Sequence, residues 1–79
     1  MKRLKTRHIV VGTKQVNKLL ERKQAEIVYV AHNAEDRVVR RILEMAKEQG
    51  IELVMVENMR QLGEACNVEV ETATAAVIK

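Results

Sequence analysis

A chain of 79 residues with one cysteine, no proline and a formal charge of +3 is sized for one small domain, burying roughly 60% of its unfolded surface. The lone Cys66 excludes a disulfide framework within the chain, and the abundance of Leu, Ile, Val and Ala argues against disorder. No apolar run approaches the ~18 residues of a membrane span and no secretory leader is evident, so a cytoplasmic protein without membrane contact is expected.

Residues 1–7 form a basic segment ahead of the first apolar run, "HIVVG" at 8–12. A helix is predicted over 13–23, where Val16, Leu19 and Leu20 make an i, i+3, i+4 stripe. Thr13 fits its N-cap position, although Val16 three residues on rules out a reciprocal capping box. "EIVYVA" at 26–31 reads as the second strand. A second helix over 35–49 begins with the acidic pair Glu35 and Asp36, which suits the positive end of its dipole. Its apolar stripe holds Val38, Val39, Ile42, Leu43, Met45 and Ala46, and Gly50 supplies the stop. "ELVMV" at 52–56 is the third strand. A shorter helix over 58–66 has Asn58 as N-cap, with Met59, Leu62, Ala65 and Cys66 directed inward. "TAAVI" at 74–78 closes the chain. None of the four strand runs alternates cleanly between apolar and polar, which predicts strands covered on both faces. The order β-α-β-α-β-α-β predicts an α/β fold, one domain over 1–79, with helices packed on the faces of a sheet.

The charge is unevenly placed. Residues 1–24 carry eight basic residues against Glu21 alone, whereas residues 25–79 carry six against ten acidic ones. Such an asymmetry concentrates positive potential toward one end of the chain and suits a polyanion such as nucleic acid. Lys14 and Lys18 lie opposite the Val16–Leu19–Leu20 stripe, one turn apart, with Gln15 to the side. The start of that helix also offers unpaired N–H groups and a positive dipole end, a site for phosphates or electronegative base edges. A solvated helix face would show the same pattern, and so would a basic tail that serves solubility.

Enzymatic motifs are missing. Gly12-Thr13-Lys14 lacks the first glycine and the long loop of a phosphate-binding P-loop, and there is no Gly-x-Gly-x-x-Gly. His8 and His32 stand apart from any cysteine or carboxylate pair at ligand spacing, so no metal or cofactor is expected. Cys66 falls on an apolar helix face and reads as a small core residue. Tyr29 is the one aromatic residue and lies inside a strand, which disfavours a stacking platform for single-stranded nucleic acid.

"GTKQVNK" (12–18), "EIVYVAHNAED" (26–36), "QGIELVMVENMRQLGEACNVEV" (49–70) and "TATAAVI" (72–78) together resemble the kink-turn-binding ribosomal protein family of archaea and eukaryotes, and more closely its small bacterial members of the YbxF type. The most specific pieces are Gly-Thr-x-x-Val-x-Lys and Leu62-Gly63-Glu64-Ala65. The resemblance implies a three-layer α/β/α sandwich around a four-stranded mixed sheet. It also implies binding to kink-turn RNA, in which tandem sheared G·A pairs flank a short bulge and bend the duplex. The helix start that enters the major groove at those pairs corresponds to Gly12, Thr13, Lys14, Gln15 and Lys18. A loop covering the bulged nucleotides corresponds to Val68, Glu69 and Val70. Lys14-Gln15 replaces the archaeal Asn-Glu, as in the bacterial branch. Asn67 stands where a glycine is usual, and no proline follows Val70.

The chemistry agrees with that implication. An A-form major groove is normally too narrow for side chains, and a kink opens it. Lysine donors suit guanine O6 and N7, and a glutamine amide both donates and accepts. The expected partner is therefore kink-turn RNA, in ribosomal RNA or a structured mRNA element, bound by a monomeric, non-enzymatic protein. Two other functions fit the same sequence: a protein-interaction module of this fold, and an accessory substrate-binding domain of the kind fused to RNA methyltransferases.

Overall fold

The computed structural model describes residues 9–66, 68, 69 and 71–79. In chain order the elements are β1 (Ile9–Val11), α1 (Thr13–Glu21), β2 (Ala25–Ala31), α2 (Asp36–Glu48), β3 (Glu52–Val56), α3 (Met59–Ala65) and β4 (Thr74–Ile78). The sheet order is β1-β4-β2-β3. β2 and β3 are parallel, and β4 runs antiparallel to both β1 and β2, so the sheet is mixed. The basic segment 1–7, His8, Asn67 and Val70 lie outside the described residues.

Side chains alternate between two buried clusters on the two sheet faces. Val28, Val30 and Ala76 join Val16, Leu19, Leu20, Val39, Ile42 and Ala46 beneath α1 and α2. Ala31, Val56 and Ala75 join Leu62 and Cys66 beneath α3. This is the three-layer α/β/α arrangement with a four-stranded mixed sheet. The central strands β2 and β4 carry apolar residues on both faces because both faces are covered.

β3 departs from the expectation of full cover. It is an edge strand, and Leu53 and Met55, which face the two-helix side, remain 39% and 46% exposed. The predicted stripe of α2 is also narrower than expected. Val39, Ile42 and Ala46 are buried, while Val38, on the flank of that stripe, is 39% exposed.

The helix ends follow local chemistry. Asn58 caps α3 as expected, its Oδ1 accepting from the Gln61 N–H at 2.8 Å. α2 closes with a Schellman motif: Gly50 takes φ 66° and donates to the Lys47 carbonyl, and Ile51 donates to that of Ala46. α1 closes the same way but two residues earlier than predicted. Lys23 sits at φ 57° and donates to the Leu20 carbonyl, and Gln24 donates to that of Leu19. A left-handed conformation costs a non-glycine residue roughly 1–2 kcal/mol. Lys23→Gly is therefore expected to raise stability by about 0.5–1 kcal/mol, seen as a melting temperature higher by about 2–8 °C. A lower melting temperature would mean that the lysine side chain holds this turn.

Candidate nucleic-acid interface

One end of the sheet gathers the residues that the sequence singled out. β1 stops at Val11, and Gly12 turns the chain into α1 within a single residue at φ 104°, ψ 148°. Only glycine adopts that conformation without strain. Its N–H donates to the Thr74 carbonyl and its own carbonyl accepts from Val16 N–H, both at 3.0 Å. Gly12, not Thr13, is therefore the N-cap, and Thr13 is the first helical residue. Glycine at the N-cap has no side chain to offer, and no side chain caps the helix.

The N–H groups of the first turn of α1 thus have neither a capping side chain nor an acidic residue in that turn. Lys14, Gln15 and Lys18 are exposed, while Gly12 and Thr13 are half-buried. Lys14 and Lys18 make no ion pair among the described residues. Two cations at the positive end of a helix dipole are slightly unfavourable by themselves, and an anion placed there offsets the repulsion.

The second predicted segment is tied to the same end. Val68 donates its N–H to the Gly63 carbonyl at 3.0 Å, folding the loop after α3 back onto that helix. Its side chain is half-buried against the cluster beneath α3, on which Val11 also packs, whereas Glu69 is exposed. Thr72 N–H then donates to Met59 O, and the carbonyls of Ala73 and Thr74 accept from Ala31 and Gly12 in turn. The start of β4 therefore clamps the ends of β1 and β2 together, so that the Gly12–Lys18 and Val68–Glu69 segments sit at one end of the sheet.

A brace that sequence reading missed completes this end. Asn33, in the loop between β2 and α2, accepts the Met59 N–H on its Oδ1 at 2.9 Å. It fixes that loop to the start of α3 across 26 positions of sequence, and an asparagine after a strand is too common to announce such a role. Cys66 is buried, and burial pushes its thiol up, away from the thiolate needed for nucleophilic chemistry. Among the described residues, no helix is long and apolar enough to cross a membrane.

Comparisons with known proteins match this architecture. Residues 1–79 match the ribosomal protein L7Ae/L30e/S12e/Gadd45 family. The chain is 41% identical over 71 residues to the RNA-binding protein BH0128 of Halalkalibacterium halodurans, covering 90% of this chain and 87% of that one. It is 43% identical over 68 residues to the large ribosomal subunit protein eL8 of Halobacterium salinarum, covering 85% of this chain and 57% of that longer one. The solved structure of the Giardia lamblia 15.5kD RNA binding protein superposes with a TM-score of 0.82 at 30% identity, over 90% of this chain and 60% of that one. Family match, relatives and fold agree: the chain belongs to the ribosomal protein L7Ae/L30e/S12e/Gadd45 family.

Proposed function

We propose that this protein binds kink-turn RNA, reading the sheared G·A pairs with the start of α1 and covering the bulge with the loop before β4. The observation that carries this reading is the one-residue turn at Gly12. It presents an uncapped helix N-terminus together with the exposed Lys14, Gln15 and Lys18, at the end of the sheet where β4 begins. Relatives named as RNA-binding and large-subunit ribosomal proteins support the same reading.

Each group has a distinct task. The ammonium groups of Lys14 and Lys18 donate to guanine O6 and N7 or to phosphate, and the Gln15 amide donates and accepts along a base edge. Val68 supplies an apolar surface for an unstacked base, with Val70 as its proposed neighbour in the loop. Glu69 turns its carboxylate outward, where it accepts from an amino group of a bulged base. Thr13 contributes its backbone N–H, and Gly12, whose own N–H is held by the Thr74 carbonyl, contributes close approach. These tasks are binding tasks, and the reading entails a monomeric cytoplasmic protein with no catalytic step.

A second reading, a protein-interaction module, has one observation in its favour: the open edge of β3 with Leu53 and Met55 exposed. Salt separates the two. Neutralised phosphates release counterions, so about four contacts to phosphate would lower affinity on the order of a hundredfold between about 50 and 200 mM salt. Titration of a labelled kink-turn RNA over that range checks it. An affinity that stays flat would favour the protein-partner reading.

A further inference from the structure

The acidic balance of residues 25–79 conceals a local reversal. Three of the six basic residues in that stretch, Arg37, Arg40 and Arg41, fall within five positions on the first half of α2. All three are exposed. Further along the same helix, Glu44 and Glu48 are exposed acids. Counting Asp36 with the arginines and Lys47 with Glu44 and Glu48, the first half of α2 carries a net +2 and the second half a net −1.

The start of α2, with Arg37, lies at the end that the proposed kink-turn site occupies. Gly12, entering α1, and Ala31, at the close of β2 ahead of α2, donate to the neighbouring carbonyls of Thr74 and Ala73. α1 and α2 therefore leave the sheet from one end and pack side by side on the same face. Arg41 spans the two helices, with its Nη2 3.7 Å from Oε2 of Glu21 on α1. Lys18 is three residues before Glu21, so it shares that flank of α1. Arg41 thereby reaches the flank of α1 that carries Lys18, across the carboxylate of Glu21 at the last residue of that helix, with Arg37 one turn nearer the start of α2.

The ion pairs these arginines make do not compete strongly with a ligand. Arg37 meets Glu35 at 3.2 Å with side chains 85% and 67% exposed, and the Arg41–Glu21 pair is 68% and 55% exposed. Exposed pairs of this kind contribute little. No carboxylate lies within ion-pair distance of Arg40 among the described residues. A guanidinium exchanges such a partner readily for a phosphate, which it holds with two parallel hydrogen bonds.

We propose that Arg37, Arg40 and Arg41, continuous with Lys18, form a second RNA contact that holds the phosphate backbone of a duplex arm flanking the kink. The inference rests on the proposed kink-turn site and extends it. The helix start reads bases, whereas exposed arginines on the outer surface of α2 meet only phosphate and add affinity without sequence information.

The test is a binding series on one kink-turn core with each flanking arm made either short or long. The wild-type protein should gain affinity when the arm over α2 is lengthened. The triple variant Arg37→Gln/Arg40→Gln/Arg41→Gln should lose that gain, falling roughly tenfold on the long-armed RNA with a shallower salt dependence. On the short-armed RNA it should match the wild type. The triple Arg→Lys variant, which keeps the charge, should retain most of the gain and controls for a folding defect.

Equal losses on short and long arms, or none on either, would overturn the proposal. If Lys14→Ala still weakens binding in that case, the kink-turn site survives without the α2 contact. A wild-type protein that shows no preference for the kink-turn core over a straight duplex removes both.

Discussion

Leu20→Ala is expected to destabilise the protein by about 3–4 kcal/mol, within the range for emptying a packed leucine site. Leu20 is fully buried between α1 and the sheet, in the cluster shared with Val28, Ile42 and Ala76. Its backbone carbonyl also accepts from Gln49 Nε2 at 2.8 Å, which joins the end of α2 to α1. A domain of this size has a total stability of about 4–12 kcal/mol. The substitution therefore removes a large share of it and lowers the melting temperature by roughly 12–32 °C. Val38→Ala is the control, because that side chain is 39% exposed, and should cost less than about 1 kcal/mol. Urea or thermal unfolding of both variants decides the point. Equal losses would mean that the layer between α1 and the sheet is not the core described here.

Lys14→Ala and Gln15→Ala are each expected to weaken binding to an intact kink-turn by roughly 1–3 kcal/mol, the range for a good base contact. Neither side chain belongs to a buried cluster, so circular dichroism and melting temperature should stay at wild-type values. The loss should fall on the intact RNA and narrow its margin over RNA lacking the G·A pairs. Lys18→Ala, one turn along the same face, should lose phosphate attraction as well and so weaken both RNAs. A Lys14→Ala or Gln15→Ala variant that keeps the full margin would place the reading surface elsewhere, even with RNA binding intact.

Most of the architecture is legible in the sequence because the layers impose it. β2 and β4 are buried on both faces, so "EIVYVA" and "TAAVI" lose the alternation that a half-exposed strand would show. Each helix declares itself by a stripe at helical spacing. Ends were harder to read where an unusual residue does the capping. Lys23 closes α1 in a conformation normally given to glycine, and nothing in "LLERKQ" marks it. Thr13 looks like a cap by residue type, but the one-residue turn gives that place to Gly12.

The features that depend on non-local pairing were not legible. "ELVMV" reads like an interior strand, yet the order β1-β4-β2-β3 leaves it at an edge with Leu53 and Met55 half-open. The Asn33–Met59 brace joins two loops distant in sequence. The arginines of α2 vanished into the net charge of residues 25–79, because charge summed along a chain says nothing about which helix face carries it. At the proposed site, the exposed cations and the glycine turn were visible in "GTKQVNK". The clamp by Ala73 and Thr74 that ties this turn to the start of β4 was not.

The most direct test compares binding to one kink-turn RNA with its tandem G·A pairs intact or replaced by Watson–Crick pairs, at one salt concentration and with the same arms. Loss of the pairs read by Lys14 and Gln15, at roughly 1–3 kcal/mol per contact, should put the intact RNA ahead by at least about tenfold. Equal affinity for the two RNAs would contradict the central claim and reduce the basic helix start to a nonspecific attraction for polyanions.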